Sequence, residues 1–151
     1  MRNDPAEPVY TIGVVSRKFG VSPETLRLYE REGLLIPHRT ETGRRLYSDL
    51  DLEWIDCIRN LITLEKLNIA GIRRLLALIP CWNLKPCTKE DQAKCAAFLI
   101  PDQVCWNLDE TGDTCANEDC HACSVYHLAR RVGDLKEIFE LTSKKEQNDE
   151  D

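Results

Sequence analysis

The spacing of apolar positions changes along the chain, and each change predicts an element. From Ile12 to Phe19, "TIGVVSRKFG" reads as a short amphipathic helix with Thr11 as its N-cap and Gly20 as its stop. "VSPETLRLYEREG" starts a second helix at once. Ser22 caps it, Pro23 takes the first helical position, Glu24 suits the positive end of the dipole, and Gly33 ends the run. Two short helices across a tight glycine turn make a helix-turn-helix pattern. The period then shortens. "LLIPHRTETGRRLYS" places two extended arms around a polar turn at residues 40–43, with Arg39 on one arm and Arg44, Arg45 and Tyr47 on the other. Helical spacing returns in "SDLDLEWIDCIRNLITLEKL", where Trp54, Ile58, Leu61 and Ile62 share a face and Cys57 lies on the same stripe as a core thiol. Asn68 caps "IAGIRRLLAL", and Pro80 forbids its continuation. Residues 10–79 are therefore expected to form one helical domain with a small wing, after a polar, disordered lead-in over residues 1–9.

Beyond Pro80 the pattern weakens. Residues 80–123 hold seven cysteines and few large apolar side chains, so they are expected to form a small cysteine-rich module. A helix is expected over residues 124–142, where Val125, Leu128, Val132, Leu135 and Phe139 are spaced 3, 4, 3, 4. That seam of two heptads suits a dimer helix or a helix packed on its own domain, and its length does not separate the two. Residues 143–151 read as a charged, disordered tail.

Composition narrows the setting. No apolar run in the 151 residues approaches the ~20 that a membrane helix needs. The first ten residues show no signal-peptide core, so the protein is expected in the cytoplasm, where thiols are kept reduced. Eight cysteines there point to metal ligation or redox sensing rather than a disulfide framework. Residues 1–79 carry 12 Lys/Arg against 11 Asp/Glu, and the remainder carries a net charge of −7. Within residues 10–47 the balance is 7 basic to 4 acidic, a mild bias that does not name a partner.

The cysteine region repeats itself: Cys-Trp-Asn-Leu occurs at residues 81–84 and again at 105–108. Its ligand candidates are Cys81, Cys87, Cys95, Cys105, Cys115, Cys120 and Cys123. The Cys120/Cys123 pair alone has the C-x2-C spacing that grips one ion from a tight turn; the others must be gathered by the fold. With His121 and His127 available, the set permits two zinc sites or one iron–sulfur cluster held by four thiolates. A module this small is expected to need a metal to fold. Trp82 and Trp106 read as shields around a thiolate centre or as plain core. The motif is similar to a small paired "CW" module attached to bacterial regulatory proteins.

The stretch "YTIGVVSRKFGVSPETLRLYEREGLLIPHRTETGRRLYSDLDLEWI" resembles the N-terminal half of MerR-family transcriptional regulators, and "LNIAGIRRLL" is similar to the heat-shock-repressor branch. The resemblance implies a winged helix-turn-helix that binds double-stranded DNA as a homodimer on a promoter palindrome, with RNA polymerase as a further partner and deformation of the duplex as the output. Contacts are expected from Thr25 and Arg27 in the recognition helix and from Arg17 and Lys18 at the end of the first helix. Tyr29 takes the place of the family's phosphate-contacting tyrosine. Arg39, Arg44, Arg45 and Tyr47 belong to the wing, and alternation along it favours Arg45 over Arg44. Leu28 stands where the family has a further tyrosine. The family's long dimer helix is cut short at Pro80, which leaves dimerisation to the cysteine region or the 124–142 seam, and leaves activation and repression both open. No nucleotide-binding glycine loop, Ser-His-Asp set or paired-carboxylate arrangement suggests an enzyme.

Overall fold

The computed structural model describes residues 4–85, 87–108, 111–112, 115 and 119–143. The chain divides into two compact units, Met1–Ile72 and Arg73–Asp151. The division falls inside a helix (α4, Ile69–Ala77) rather than at Pro80, because the apolar residues that follow Ile72 belong to the second unit's own core.

In the first unit, β1 (Tyr10–Thr11) runs into α1 (Ile12–Phe19). Thr11 accepts from the Val14 N–H at 3.4 Å, and Gly20 closes the helix in the left-handed region at φ 63°. A residue with a Cβ would be strained there. α2 (Pro23–Arg31) begins with Ser22 accepting from the Thr25 N–H at 3.2 Å. The expected hairpin is present as β2 (His38–Arg39) and β3 (Arg45–Tyr47), closed by a turn in which the Gly43 N–H donates to the Thr40 carbonyl at 2.9 Å. β1 was not foreseen. It pairs antiparallel with β3, Tyr10 opposite Tyr47, so the sheet order is β1-β3-β2.

α3 (Asp49–Thr63) opens with a reciprocal cap: Ser48 Oγ accepts from the Asp51 N–H, and Asp51 Oδ2 accepts from the Ser48 N–H. Its buried face, Leu52, Trp54, Ile55, Ile58 and Leu61, packs in a core with Val15, Leu26, Tyr29, Leu34 and Tyr47. Trp54 Nε1 donates to the Leu34 carbonyl at 2.7 Å, which fixes the segment after α2 against α3. Cys57, read as core, is half-buried on this helix. The lead-in is not wholly disordered. The Val9 N–H donates to the Tyr47 carbonyl, and the Pro5 carbonyl accepts from the Leu50 N–H at 3.1 Å, so residues 4–9 are tied to the sheet and to the start of α3. Residues 1–3 lie outside the described set, as does the expected tail from 144 on.

The second unit is a chain of short helices: α5 (Cys81–Leu84), α6 (Lys89–Lys94), α7 (Ala96–Leu99), 3-10 turns at Cys105–Asn107 and Cys120–Ala122, α8 (Ser124–Ala129) and α9 (Leu135–Ser143). The single helix expected over 124–142 is two helices. Gly133 lies between them, and Asp134 starts α9 afresh by accepting from the Glu137 N–H at 3.0 Å. The heptad seam is divided accordingly. Val125 and Val132 are buried in the unit, whereas Leu135 and Phe139 are 49% and 72% exposed. Among the described residues, no helix is long and apolar enough to cross a membrane.

Candidate functional site

α2 is the second helix of the helix-turn-helix, and its first turn presents Thr25, half-buried, with its hydroxyl 3.0 Å from Ser22 Oγ. Arg27 is half-exposed and ion-paired to Glu24 one turn earlier, so its charge is partly answered within the helix. At the C-terminal end of α1, Arg17 and Lys18 are both exposed. They sit where cations also suit the helix dipole.

The wing is organised by an acid that sequence reasoning passed over. Glu30, in the last turn of α2, accepts from Arg39 Nη2 and from Arg45 Nε, each at 2.6 Å, one carboxylate oxygen to each guanidinium. Arg39 also donates to the Gly43 carbonyl at 3.0 Å and so spans the turn. This clamp joins both arms of the wing to the end of α2. It also reverses the preference between the paired arginines. Arg45 is directed inward, its side chain 25% exposed against Glu30, whereas Arg44 is exposed and makes no side-chain hydrogen bond or ion pair among the described residues. A carboxylate at the C-terminal end of a helix opposes the dipole, and that misfit was the available signal that Glu30 has cationic partners.

Both tyrosines expected at the interface are core residues. Tyr29 is 1% exposed, with its hydroxyl 3.4 Å from Arg59 Nη1, because its position on α2 faces α3. Tyr47 is fully buried, and its hydroxyl has no hydrogen-bond partner among the described residues. Burial pushes its pKa up to about 12, with the Glu30 carboxylate adding to the shift.

In the second unit, the two Cys-Trp-Asn-Leu repeats each make one helical turn, an α turn closed by Lys85 N–H to the Cys81 carbonyl and a 3-10 turn closed by Leu108 N–H to the Cys105 carbonyl. Their indoles then diverge in role. Trp106 packs edge-on against Tyr126 at 5.1 Å and lines a cavity with the thiols; Trp82 packs on Phe98 at 5.2 Å and is 41% exposed. The cavity, about 160 Å³, is walled by Cys81, Cys95, Cys105, Cys115, Cys120 and Cys123 together with Trp106, Val125 and other small or apolar groups. Cys87 is not on that wall; its thiol faces the Thr88 carbonyl at 3.8 Å.

Burial pushes the Cys105 thiol up to about 12 and the Cys81 thiol up to about 11, and neighbouring thiols add to both shifts: Cys81, Cys123, Cys120 and Cys115 around Cys105; Cys95, Cys115 and Cys87 around Cys81. No two of the eight cysteines are joined in a disulfide. His121 packs on the Tyr126 ring, and His127 lies 3.2 Å from Arg130; neither lines the cavity. Among the described residues, no three His, Cys, Asp or Glu side chains close on a single point as the ligands of one ion do. Gly112 is closely approached by its neighbours. A Cβ there would lie 3.0 Å from the Asp91 carbonyl oxygen and 3.5 Å from Cys95 Cβ.

A family model described as MerR HTH family regulatory protein matches residues 10–79. Residues 10–79 are a MerR-type helix-turn-helix domain. Relatives agree. The chain is 42% identical over 71 residues to a protein named putative heat shock protein HspR of Streptomyces coelicolor, covering 47% of each. It is 35% identical over 71 residues to the HTH-type transcriptional regulator GlnR of Bacillus anthracis, covering 47% of this chain and 54% of that one. With the HTH-type transcriptional regulator AdhR of Bacillus subtilis it shares 43% identity over 53 residues, 32% of this chain and 38% of the relative. The chain thus spans about half the length of the curated relatives it matches. The MerR-type match ends at residue 79, so all seven clustered cysteines lie outside it.

Proposed function

We propose that the protein is a DNA-binding transcriptional regulator that acts as a homodimer and carries a cysteine-bound metal centre in its second unit. The observation that carries the DNA reading is a set of uncommitted cations on the MerR-type domain. Arg17 and Lys18 at the end of α1 and Arg44 at the wing are exposed and unpaired among the described residues, while Arg39 and Arg45 are held by Glu30. Phosphate contacts from such cations fix register, and Thr25 with Arg27 at the start of α2 supplies donors to base edges. The relatives' names, all of regulators or a heat shock protein, favour transcription over catalysis.

A palindromic site needs two copies, and the exposed apolar side chains of α9, Leu135 and Phe139, are the surface offered to a second copy. Binding at a promoter, where RNA polymerase is the affected partner, would repress or activate according to how the duplex is deformed. Support for the metal centre is the gathering of six thiols around one cavity in a unit of small core. The test is selection of bound duplexes from a random pool by the full chain. Enrichment of inverted repeats over single half-sites is expected; a pool returned without enrichment overturns the reading.

A further inference from the structure

Glu30 stands at the C-terminal end of α2, where the helix dipole disfavours negative charge, and its side chain is 23% exposed. Two guanidinium groups meet it there. Both terminal nitrogens of Arg39 are engaged, Nη2 with Glu30 and Nη1 with the Gly43 carbonyl. Arg45 gives its Nε to the second carboxylate oxygen, and its side chain is 25% exposed. The cost of placing an acid at this end of the helix is thus offset by two charge-assisted bonds to the wing.

Those bonds engage donors that phosphate would otherwise attract. Together with Glu30 the two arginines carry a charge of +1, and without it they would carry +2. Attraction of cations to the phosphate backbone does not depend on sequence, so each released arginine would strengthen binding to any duplex. Phosphate contacts fix register only when the cations that make them are themselves fixed. A wing held by both arms offers Arg44 in one position, whereas a released wing lets three arginines adapt to whatever duplex is present. The first arrangement favours a particular site, and the second raises the affinity common to all sites.

We propose that Glu30 is a specificity-determining residue of the DNA-binding domain: it withholds Arg39 and Arg45 from the phosphate backbone and holds the wing so that Arg44 is offered in their place. This rests on the DNA-binding reading above and adds to it an acidic residue that limits binding.

The experiment is anisotropy titration of a labelled duplex of arbitrary sequence with the full chain, at several salt concentrations. Removing the carboxylate adds one net positive charge and releases two side chains. Glu30→Gln should therefore steepen the slope of log affinity against log salt by between about 0.9 and 1.8 per protomer. From ~50 to ~200 mM salt, the variant should lose about 3.5-fold to twelvefold more affinity per protomer than the wild type. A residue that only braces the wing would, once changed, leave the slope unchanged or flatter, and either result overturns the inference. Adding Arg39→Gln and Arg45→Gln to Glu30→Gln should abolish the steepening; a slope that stays steep would overturn it too. Arg39→Gln alone gives an independent reading should Glu30→Gln not fold, because it leaves Glu30 paired with Arg45. Its slope should stay near that of the wild type, and flattening by a full ~0.9 per protomer would mean that Arg39 contacts phosphate and is not withheld. In selection from a random pool, Glu30→Gln should enrich inverted repeats less than the wild type does, and equal enrichment would overturn the role in specificity. Absence of duplex binding by the wild type would instead overturn the DNA-binding reading itself.

Discussion

Arg44 and Arg45 are neighbours of identical chemistry, and the clamp on Glu30 assigns them opposite roles. Arg45 is engaged with a carboxylate at 2.6 Å and is one-quarter exposed; Arg44 is exposed and uncommitted. If Arg44 contacts phosphate, Arg44→Ala removes one counterion-releasing contact per protomer. The slope of log affinity against log salt should then flatten by about 0.9 per protomer, or about 1.8 in a dimer. Over a fourfold change, from ~50 to ~200 mM salt, the wild type should lose about twelvefold more affinity than the variant. Arg45→Ala should leave the slope almost unchanged and instead lower the stability of the wing by about 1 kcal/mol, the scale of a partly exposed ion pair. Fluorescence anisotropy on a labelled duplex of arbitrary sequence, titrated at several salt concentrations, measures the slopes, because this component of binding is sequence-independent. Urea unfolding of both variants measures the stability. A flattened slope in Arg45→Ala with an unchanged one in Arg44→Ala would refute the reasoning, since it would mean that Glu30 surrenders Arg45 on binding.

Tyr47→Phe should be neutral or stabilising by about 1 kcal/mol, because it removes a buried hydroxyl that has no partner; a clear fall in unfolding midpoint would contradict this. The same residue gives a pH dependence. Its folded pKa is raised from 10 to about 12. Its contribution is therefore complete below pH ~10 and is lost as pH rises towards 12, by at most about 2–3 kcal/mol. The wild type should weaken relative to Tyr47→Phe across that window, and parallel stability curves would deny the shift. Gly112→Ala should disturb the cysteine unit while sparing the MerR-type domain, because the new methyl meets the Asp91 carbonyl oxygen at 3.0 Å. Metal content that is unchanged in this variant, with unchanged thermal unfolding, would count against that packing.

Local signals carried most of the first unit. Thr11, Ser22 and Asn68 were legible as caps because an N-cap is decided within four residues, and the structure shows all three accepting from the expected N–H groups. What failed depended on distant residues. β1 is two residues long and exists only because Tyr47 lies opposite Tyr10. Alternation along the wing said that one of Arg44 and Arg45 faces out, but which one was set by Glu30 on another element. Tyr29 matched a family position by sequence, yet its burial follows from packing against α3, which helical spacing alone does not report. The break between α8 and α9 was legible and passed over: a glycine in a helix interior costs about 1 kcal/mol, and Gly133-Asp134 is also a good stop and cap. Irregular spacings among the cysteines gave no sign that Cys87 would stand apart from the wall.

The two units rest on different physics, and the contrast bears on how the protein is expected to behave. The MerR-type domain buries two tyrosines, a tryptophan and a continuous set of leucines and isoleucines, and its helix ends are capped by its own side chains. Such a domain draws its stability from apolar burial. The cysteine unit is built from helices of three to nine residues, too short to persist alone, and α5, α7, α8 and the 3-10 turn at Cys105–Asn107 have no side-chain N-cap. It contains a cavity walled by thiols, and burial pushes two of them, Cys105 and Cys81, up. On the proposed reading, a metal core held there would add strong bonds that cross-link turns distant in sequence. If the proposed metal centre fills that cavity, a change in its state should act on this unit first and leave the apolar core of the first unit folded.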